Sequence, residues 1–235
     1  MRRYLLLDDN AAFAENLAEI LRDAGDDATV VTDGARAVSL AGTLRYDALL
    51  TDMKMPGMTG AQVVHHLRRV DPGLAMVVIT AYPGERELET ARKEGLLAVL
   101  PKPVPIAPLM GLLSRARRDG VVLLLEDDPS QGDSLSEELR ARGFSSVTAR
   151  SAREVEHLSE VRPFAAVVEP RPPGGPEGDA LRLLRTRLPR LPVFVWTPPP
   201  DEDRVRALVC DPIVISAPAG TPALLDALER AHDSR

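Results

Sequence analysis

The chain is poor in cysteine, lysine and aromatic side chains, and each shortage excludes something. A single cysteine, Cys210, in 235 residues rules out an internal disulfide and fits a reducing, cytoplasmic compartment. Only three of the 29 basic residues are lysines (Lys54, Lys93 and Lys102), leaving 29 − 3 = 26 arginines. No Lys/Arg block forms a DNA-binding arm. No apolar run approaches the ~20 residues of a membrane span. The N-terminal "MRRYLLLDDN" is basic and then apolar, but the run is too short for a secretion signal and ends in two aspartates.

A basic excess is missing as well. The formal net charge is −6. Residues 1–118 hold 15 Lys+Arg and 15 Asp+Glu, whereas residues 119–235 hold 14 and 20, so the whole deficit (14 − 20 = −6) lies in the second half. A nucleic-acid partner is not expected. What is present is enough apolar material, 44% of residues, for packed cores. The length predicts two domains at a usual ~100–150 residues each.

The two halves repeat one pattern. "LAEILRDAG" from Leu17 meets "LSEELRARG" from Leu135 at an offset of 118 residues. "YDALLTDMKMPGMTG" from Tyr46 meets "FAAVVEPRPPGGPEG" from Phe164 at the same offset. "VVITAYPGE" meets "FVWTPPPDE" at 117, and "PLMGLLSRA" meets "ALLDALERA" at 115. Two copies of one fold are expected, the second with short deletions. A period of domain size with only two copies excludes a solenoid.

Within the first copy, apolar runs at Arg3–Leu7, Ala28–Val31, Ala48–Thr51, Met76–Thr80 and Leu97–Leu100 read as strands. Between them lie helical patterns. The first carries Phe13, Leu17, Ile20 and Leu21 and ends at Gly25. The others cover Gly34–Leu44 with Asp33 as N-cap, Gly60–Val70, Glu85–Glu94 and Pro105–Arg118. Nearly continuous β-branched strands alternating with helices predict a parallel sheet covered on both faces. The expected fold class is therefore α/β. Each half would be a flavodoxin-like (βα)5 doubly wound domain with strand order 2-1-3-4-5, as residues 1–118 and 119–235.

Such folds place function beyond the carboxyl ends of the strands. Asp8 and Asp9 follow the first strand, Asp52 the third, Thr80 the fourth and Lys102 the fifth. Three carboxylates in one crevice repel each other unless a cation joins them, and oxygen ligands suit Mg²⁺. A hydroxyl and an ammonium on the opposite rim suit a phosphoryl group.

This set, Asp8-Asp9, Asp52 before "MKMPGMTG", Thr80-Ala81 and "LPKP" around Lys102, resembles the receiver domain of two-component response regulators. The resemblance spans residues 1–118. It implies that Asp52 accepts a phosphoryl group from a sensor histidine kinase or phosphotransfer protein. It also implies self-phosphorylation and autodephosphorylation chemistry rather than turnover. Asp9 and Asp52, with the Lys54 carbonyl and Asp8 through water, would bind Mg²⁺. Thr80 and Lys102 would hold phosphoryl oxygens, and Lys102–Pro103 would be cis. One departure is Val99, where receivers commonly carry an aromatic switch residue.

At the 118-residue offset the second copy keeps Glu126 and Asp127 but sets Pro170 opposite Asp52, and later Thr197 opposite Thr80 and Ala217 opposite Lys102. It reads as a pseudo-receiver lacking acceptor and lysine. "TPPPDED" from Thr197 would stiffen its loop, because proline fixes φ. The chain ends just after the second copy, so output is expected through an unidentified downstream protein, without a DNA-binding domain. A homodimer is compatible with this reading. The short linker "RARRDG" from Arg115 predicts a restricted arrangement of the two domains. Two other classes compete: an unphosphorylated adaptor built from receiver folds, and a flavin protein of similar topology. Aromatics at 3% and the lack of a Ser/Thr/Gly-rich loop after the first strand weigh against the flavin protein.

Overall fold

Strands that are apolar on both sides must be covered on both faces, and the chain meets that demand twice. The computed structural model describes residues 1–82, 86–125, 129–150, 154–155, 161–168, 184–197, 213–216 and 220–235. They divide into two compact units, Met1–Asp119 and Gly120–Arg235.

The first unit runs β1 (Arg3–Leu7), α1 (Ala11–Asp23), β2 (Asp27–Val31), α2 (Gly34–Ala41), β3 (Ala48–Asp52), α3 (Gly60–Val70), β4 (Ala75–Thr80), α4 (Arg86–Arg92), β5 (Ala98–Pro101) and α5 (Ile106–Arg115). All five strands are parallel in the order β2-β1-β3-β4-β5. The side-chain period of two splits the sheet into two cores. Leu5, Leu7, Leu49, Met76 and Val78 face one core, together with the buried faces of α2, α3 and α4. Tyr4, Leu6, Ala48, Leu50, Val77, Ile79 and Ala98 face the other, with α1 and α5.

Local chemistry sets the helix ends. Asn10 caps α1 by accepting from the Phe13 amide, and Asp33 caps α2 by accepting from Arg36. Thr59 and Gln62 form a reciprocal capping box at α3. Three expected helices end short of their sequence patterns, α4 at Arg92 rather than Glu94. α2 stops at Ala41, because Gly42 and Thr43 turn back onto its last carbonyls, and this leaves Leu44 exposed. α5 stops at Arg115 rather than Arg118. Arg2 donates to the carbonyls of Leu113, Ser114 and Ala116 at 2.7–2.8 Å and so satisfies the helix end. The buried stripe of α1 is Ala14, Leu17, Ala18 and Leu21, whereas Ile20 is exposed.

The second unit contains β6 (Val121–Leu125), α6 (Pro129–Ala141), β7 (Ser145–Ala149), β8 (Ala165–Val168), β9 (Val193–Thr197), β10 (Ile213–Ser216) and α7 (Gly220–Asp233). Its parallel sheet is ordered β10-β9-β8-β6-β7, the same winding as the first. No helix among the described residues is long and apolar enough to cross a membrane.

The register corrects the sequence alignment at one strand. In the first unit Leu6 pairs with Leu50. At a constant offset of 118 their counterparts are Leu124 and Val168, yet Leu124 pairs with Val167. The core faces agree, since Leu124 and Val167 share one cluster as Leu6 and Leu50 do. So does a flanking hydrogen bond. Asp47 donates to the Arg3 carbonyl, and it is Phe164 that donates to the Val121 carbonyl. The offset has therefore already slipped to 117 at β8. That register is described as far as Val168, the last described residue of β8. Glu169, Pro170, Glu126, Asp127, Ala217 and the prolines after Thr197 themselves lie outside the described residues.

Candidate functional site

Strand register brings the carboxylates together. Leu6 and Leu50 pair, Leu50 pairs with Val77, and Val77 pairs with Ala98, which makes one row across the sheet. Two residues further along the same face, the row reads Asp8, Asp52, Ile79 and Leu100. One more step of two along the fifth strand gives Lys102, whose amide donates to the Thr80 carbonyl at 3.0 Å. Apolar pairs within the sheet thus become a polar cluster where the strands end.

One carboxylate oxygen each from Asp8, Asp9 and Asp52 lie within 4.8 Å of one another. Asp8 is buried, Asp52 is half-buried and Asp9 is exposed. The Lys102 ammonium sits between the first two, 2.7 Å from Asp8 Oδ2 and 2.8 Å from Asp52 Oδ2. Burial alone would pull this ammonium down, but the hydrogen bonds and charges of Asp52 and Asp8 outweigh it and hold it above the usual lysine range. The sequence set Lys102 on the far rim. The structure sets it inside the carboxylate cluster, as the cation that three crowded acids require. The other oxygens of the pair are fixed by backbone: Asp8 Oδ1 accepts from Asn10 N at 2.9 Å, and Asp52 Oδ1 from Met53 N at 2.7 Å.

Thr80 ends β4 one residue after Ile79, the residue registered with Asp52. It is buried, and its Oγ1 accepts from Tyr82 N at 3.1 Å. Above it the Lys54 ammonium lies 4.3 Å from the centre of the exposed Tyr82 ring. Lys102–Pro103 is cis. Val99, in β5, is partly buried against the α2–α4 core. Met53 is buried, and Met55 and Met58 pack on that same core. His65 bonds through Nδ1 to Glu94 Oε1 at 2.7 Å, away from the carboxylates on α3. A cleft of about 650 Å³ is lined by Met53, Lys54, Met55, Pro56, Thr59, Arg86 and Glu87 and includes none of the three aspartates.

One neighbour was not legible as part of this cluster. Phe13, which the helical spacing assigns to the core face of α1, carries its ring 4.6 Å from Lys102 Nζ. Its place one turn after the acidic pair was the available signal.

The donor set is chemically suited to a hard divalent cation: three anionic oxygens, no nitrogen or sulfur, and an exposed side for water. Fixed carboxylates with an adjacent ammonium also suit phosphoryl transfer, which depends on positioning and charge neutralisation.

Comparison with known proteins gives the family. Residues 4–114 match the response regulator receiver domain. The receiver domain of the sensor histidine kinase PA1611 from Pseudomonas aeruginosa PAO1, solved with a magnesium ion coordinated in its active site cleft, is 30% identical. That match covers 48% of this chain and 95% of the other, with a TM-score of 0.43. The DNA-binding response regulator MtrA of Mycobacterium tuberculosis (strain ATCC 25618 / H37Rv) is 32% identical over 131 residues, and the match spans 55% of this chain and 54% of MtrA. A response regulator receiver protein of Anaeromyxobacter sp. (strain Fw109-5) is 52% identical over 241 residues, covering 100% of this chain and 97% of the relative. With a relationship of that extent behind the clustered aspartates and Lys102, the chain belongs to the response regulator receiver family of two-component signalling.

Proposed function

We propose that Asp52 is the phosphoryl acceptor of this chain and that the first unit carries all of its phosphoryl chemistry. The observation behind this reading is the Lys102 ammonium held 2.8 Å from Asp52 and 2.7 Å from Asp8, beside Asp9. The donor is the phosphohistidine of a sensor kinase or phosphotransfer protein. An Asp52 carboxylate oxygen bonds to phosphorus as the phosphorus–nitrogen bond breaks, and the imidazole leaves with that electron pair.

Asp8, Asp9 and Asp52, with the Lys54 carbonyl, are the groups that would hold Mg²⁺, which when bound neutralises phosphoryl charge. Lys102 exchanges one carboxylate contact for a phosphoryl oxygen. The Thr80 hydroxyl, now accepting from Tyr82 N, is the group that turns to donate to another. Backbone donation from Met53 and Asn10 keeps the two carboxylates aligned during the exchange.

The second unit, in this reading, is a degenerate receiver that serves as a docking or assembly module. Its excess of acidic residues, 20 against 14 basic over residues 119–235, favours a basic surface on a downstream protein. Phosphorylation of the first unit replaces the single negative charge of the Asp52 carboxylate with a phosphoryl group of about −1.5 to −2 charges and biases its two-state surface toward the signalling form.

The test uses the full chain incubated with a small acyl-phosphate donor and Mg²⁺, followed by intact mass in acid. One phosphoryl mass should appear, stable to acid and lost in base, and Asp52→Asn should abolish it. No gain on the wild type, or a gain that persists in Asp52→Asn, overturns the assignment and leaves the unphosphorylated adaptor.

A further inference from the structure

Three residues leading into α1 and Lys102 after β5 close a circuit. Asp8 Oδ1 accepts from the Asn10 amide at 2.9 Å. Asn10 Oδ1, the cap of α1, accepts from the Phe13 amide at 3.1 Å. The Phe13 ring lies 4.6 Å from the Lys102 ammonium. That ammonium returns to Asp8 Oδ2 at 2.7 Å.

An ammonium has three N–H donors. Asp8 and Asp52 take two of them, and Phe13 covers a further flank. The Lys102 side chain is left 22% exposed. A ring face attracts a cation through its quadrupole, more strongly when water is excluded. The attraction does not depend on which anion the cation is bonded to, so the ring can hold Nζ while its carboxylate and phosphoryl contacts are exchanged. Lysine on a flexible four-carbon stem needs such a guide, because the stem itself does not fix the charge.

We propose that Phe13 is a positioning residue of the phosphoryl site, holding the Lys102 ammonium against Asp8 and Asp52 through its ring face. Its part in catalysis rests on the reading of Asp52 as acceptor. The hold on Lys102 does not.

The test compares Phe13→Leu, which keeps an apolar group on α1, with Phe13→Tyr, which keeps the ring. Two measurements are made on the full chain. The first is lysine-selective carbon-13 NMR, which gives one set of ε-methylene signals for each of three lysines, with Lys102 assigned by Lys102→Arg. The Lys102 signal should be displaced by the ring current in the wild type and in Phe13→Tyr, and move toward the other two in Phe13→Leu. The second is the initial rate of phosphorylation by a small acyl-phosphate donor. Phe13→Leu should slow it about threefold to tenfold, Phe13→Tyr should restore it, and Phe13→Leu should add no further loss in a Lys102→Ala background.

An unmoved Lys102 signal in Phe13→Leu overturns the proposal. So does an equal loss of rate with and without Lys102, which marks a purely structural effect. A wild type that takes no phosphoryl group while its Lys102 signal responds to Phe13→Leu sinks the acceptor reading alone and leaves the positioning contact standing.

Discussion

Lys102 bonds Asp52, the proposed acceptor, at 2.8 Å. The same ammonium holds Asp8 at 2.7 Å, so it draws on two of the carboxylates that a divalent cation would use. Removing it leaves two acids without their counter-charge. Lys102→Met should therefore tighten Mg²⁺ binding, read by calorimetry, while phosphoryl acceptance falls. Weaker Mg²⁺ binding in this variant would contradict the competition.

The same pair has a pH signature. The folded state holds the Lys102 ammonium above its ordinary value. A base whose pKa is raised by folding contributes stability that is complete below the unfolded value, ~10.4 for lysine, and is lost as pH rises through the folded value. The stability difference between wild type and Lys102→Met should be flat through neutral pH and shrink only in the alkaline range. Denaturant titrations at a series of pH values measure it. A difference already shrinking between pH ~6 and ~8 would assign the stability to another group.

Gly60 packs against the backbone at Asp52, the last residue of β3. A Cβ at Gly60 would lie 2.2 Å from the Asp52 carbonyl oxygen and 2.8 Å from Met53 Cα. Both are backbone atoms and cannot rotate away. The Gly60 amide also donates to the Met53 carbonyl at 2.9 Å. Gly60→Ala should destabilise the first unit by about 1–3 kcal/mol and slow phosphorylation by displacing Asp52. Wild-type unfolding and wild-type rate together would show that the loop yields freely.

The fold was legible because its strands are short and apolar on both faces, and because Asp33 and Gly60 mark helix starts without ambiguity. The carboxylate cluster was legible because Asp8, Asp52 and Lys102 each stand just where an apolar run stops. The contact of Phe13 with Lys102 was not, since a core-spaced aromatic on α1 and a lysine after β5 meet only when the sheet is assembled. The ends of α2 and α5 were hidden for a related reason: Arg2, at the other end of the first unit, satisfies the carbonyls where α5 stops.

Tyr46 is wholly buried, and its hydroxyl has no hydrogen-bond partner among the described residues. A buried polar atom left unpaired costs more than it returns. Tyr46→Phe keeps the ring and removes that atom. It should stabilise the chain by about 1 kcal/mol, raising the Tm of the first unit with phosphorylation unaffected. A lowered Tm would mean that the hydroxyl is satisfied, by water for instance.

The one-residue slip at β8 has the sharpest consequence. "AAVV" is apolar on both faces, so a shift by one leaves its pattern unchanged, and sequence alone cannot fix its register. The pairing of Leu124 with Val167, continued one residue past Val168, would set Glu169 rather than Pro170 opposite Asp52. If that register governs the chemistry, restoring an acceptor requires Glu169→Asp together with Ala217→Lys, tested in an Asp52→Asn background against the same acyl-phosphate donor. Intact mass should then reveal a phosphoryl gain in that combination and none when Pro170→Asp replaces Glu169→Asp. The opposite pattern would return the counterpart of Asp52 to Pro170, because a carboxylate one residue out of register points to the other face of the sheet.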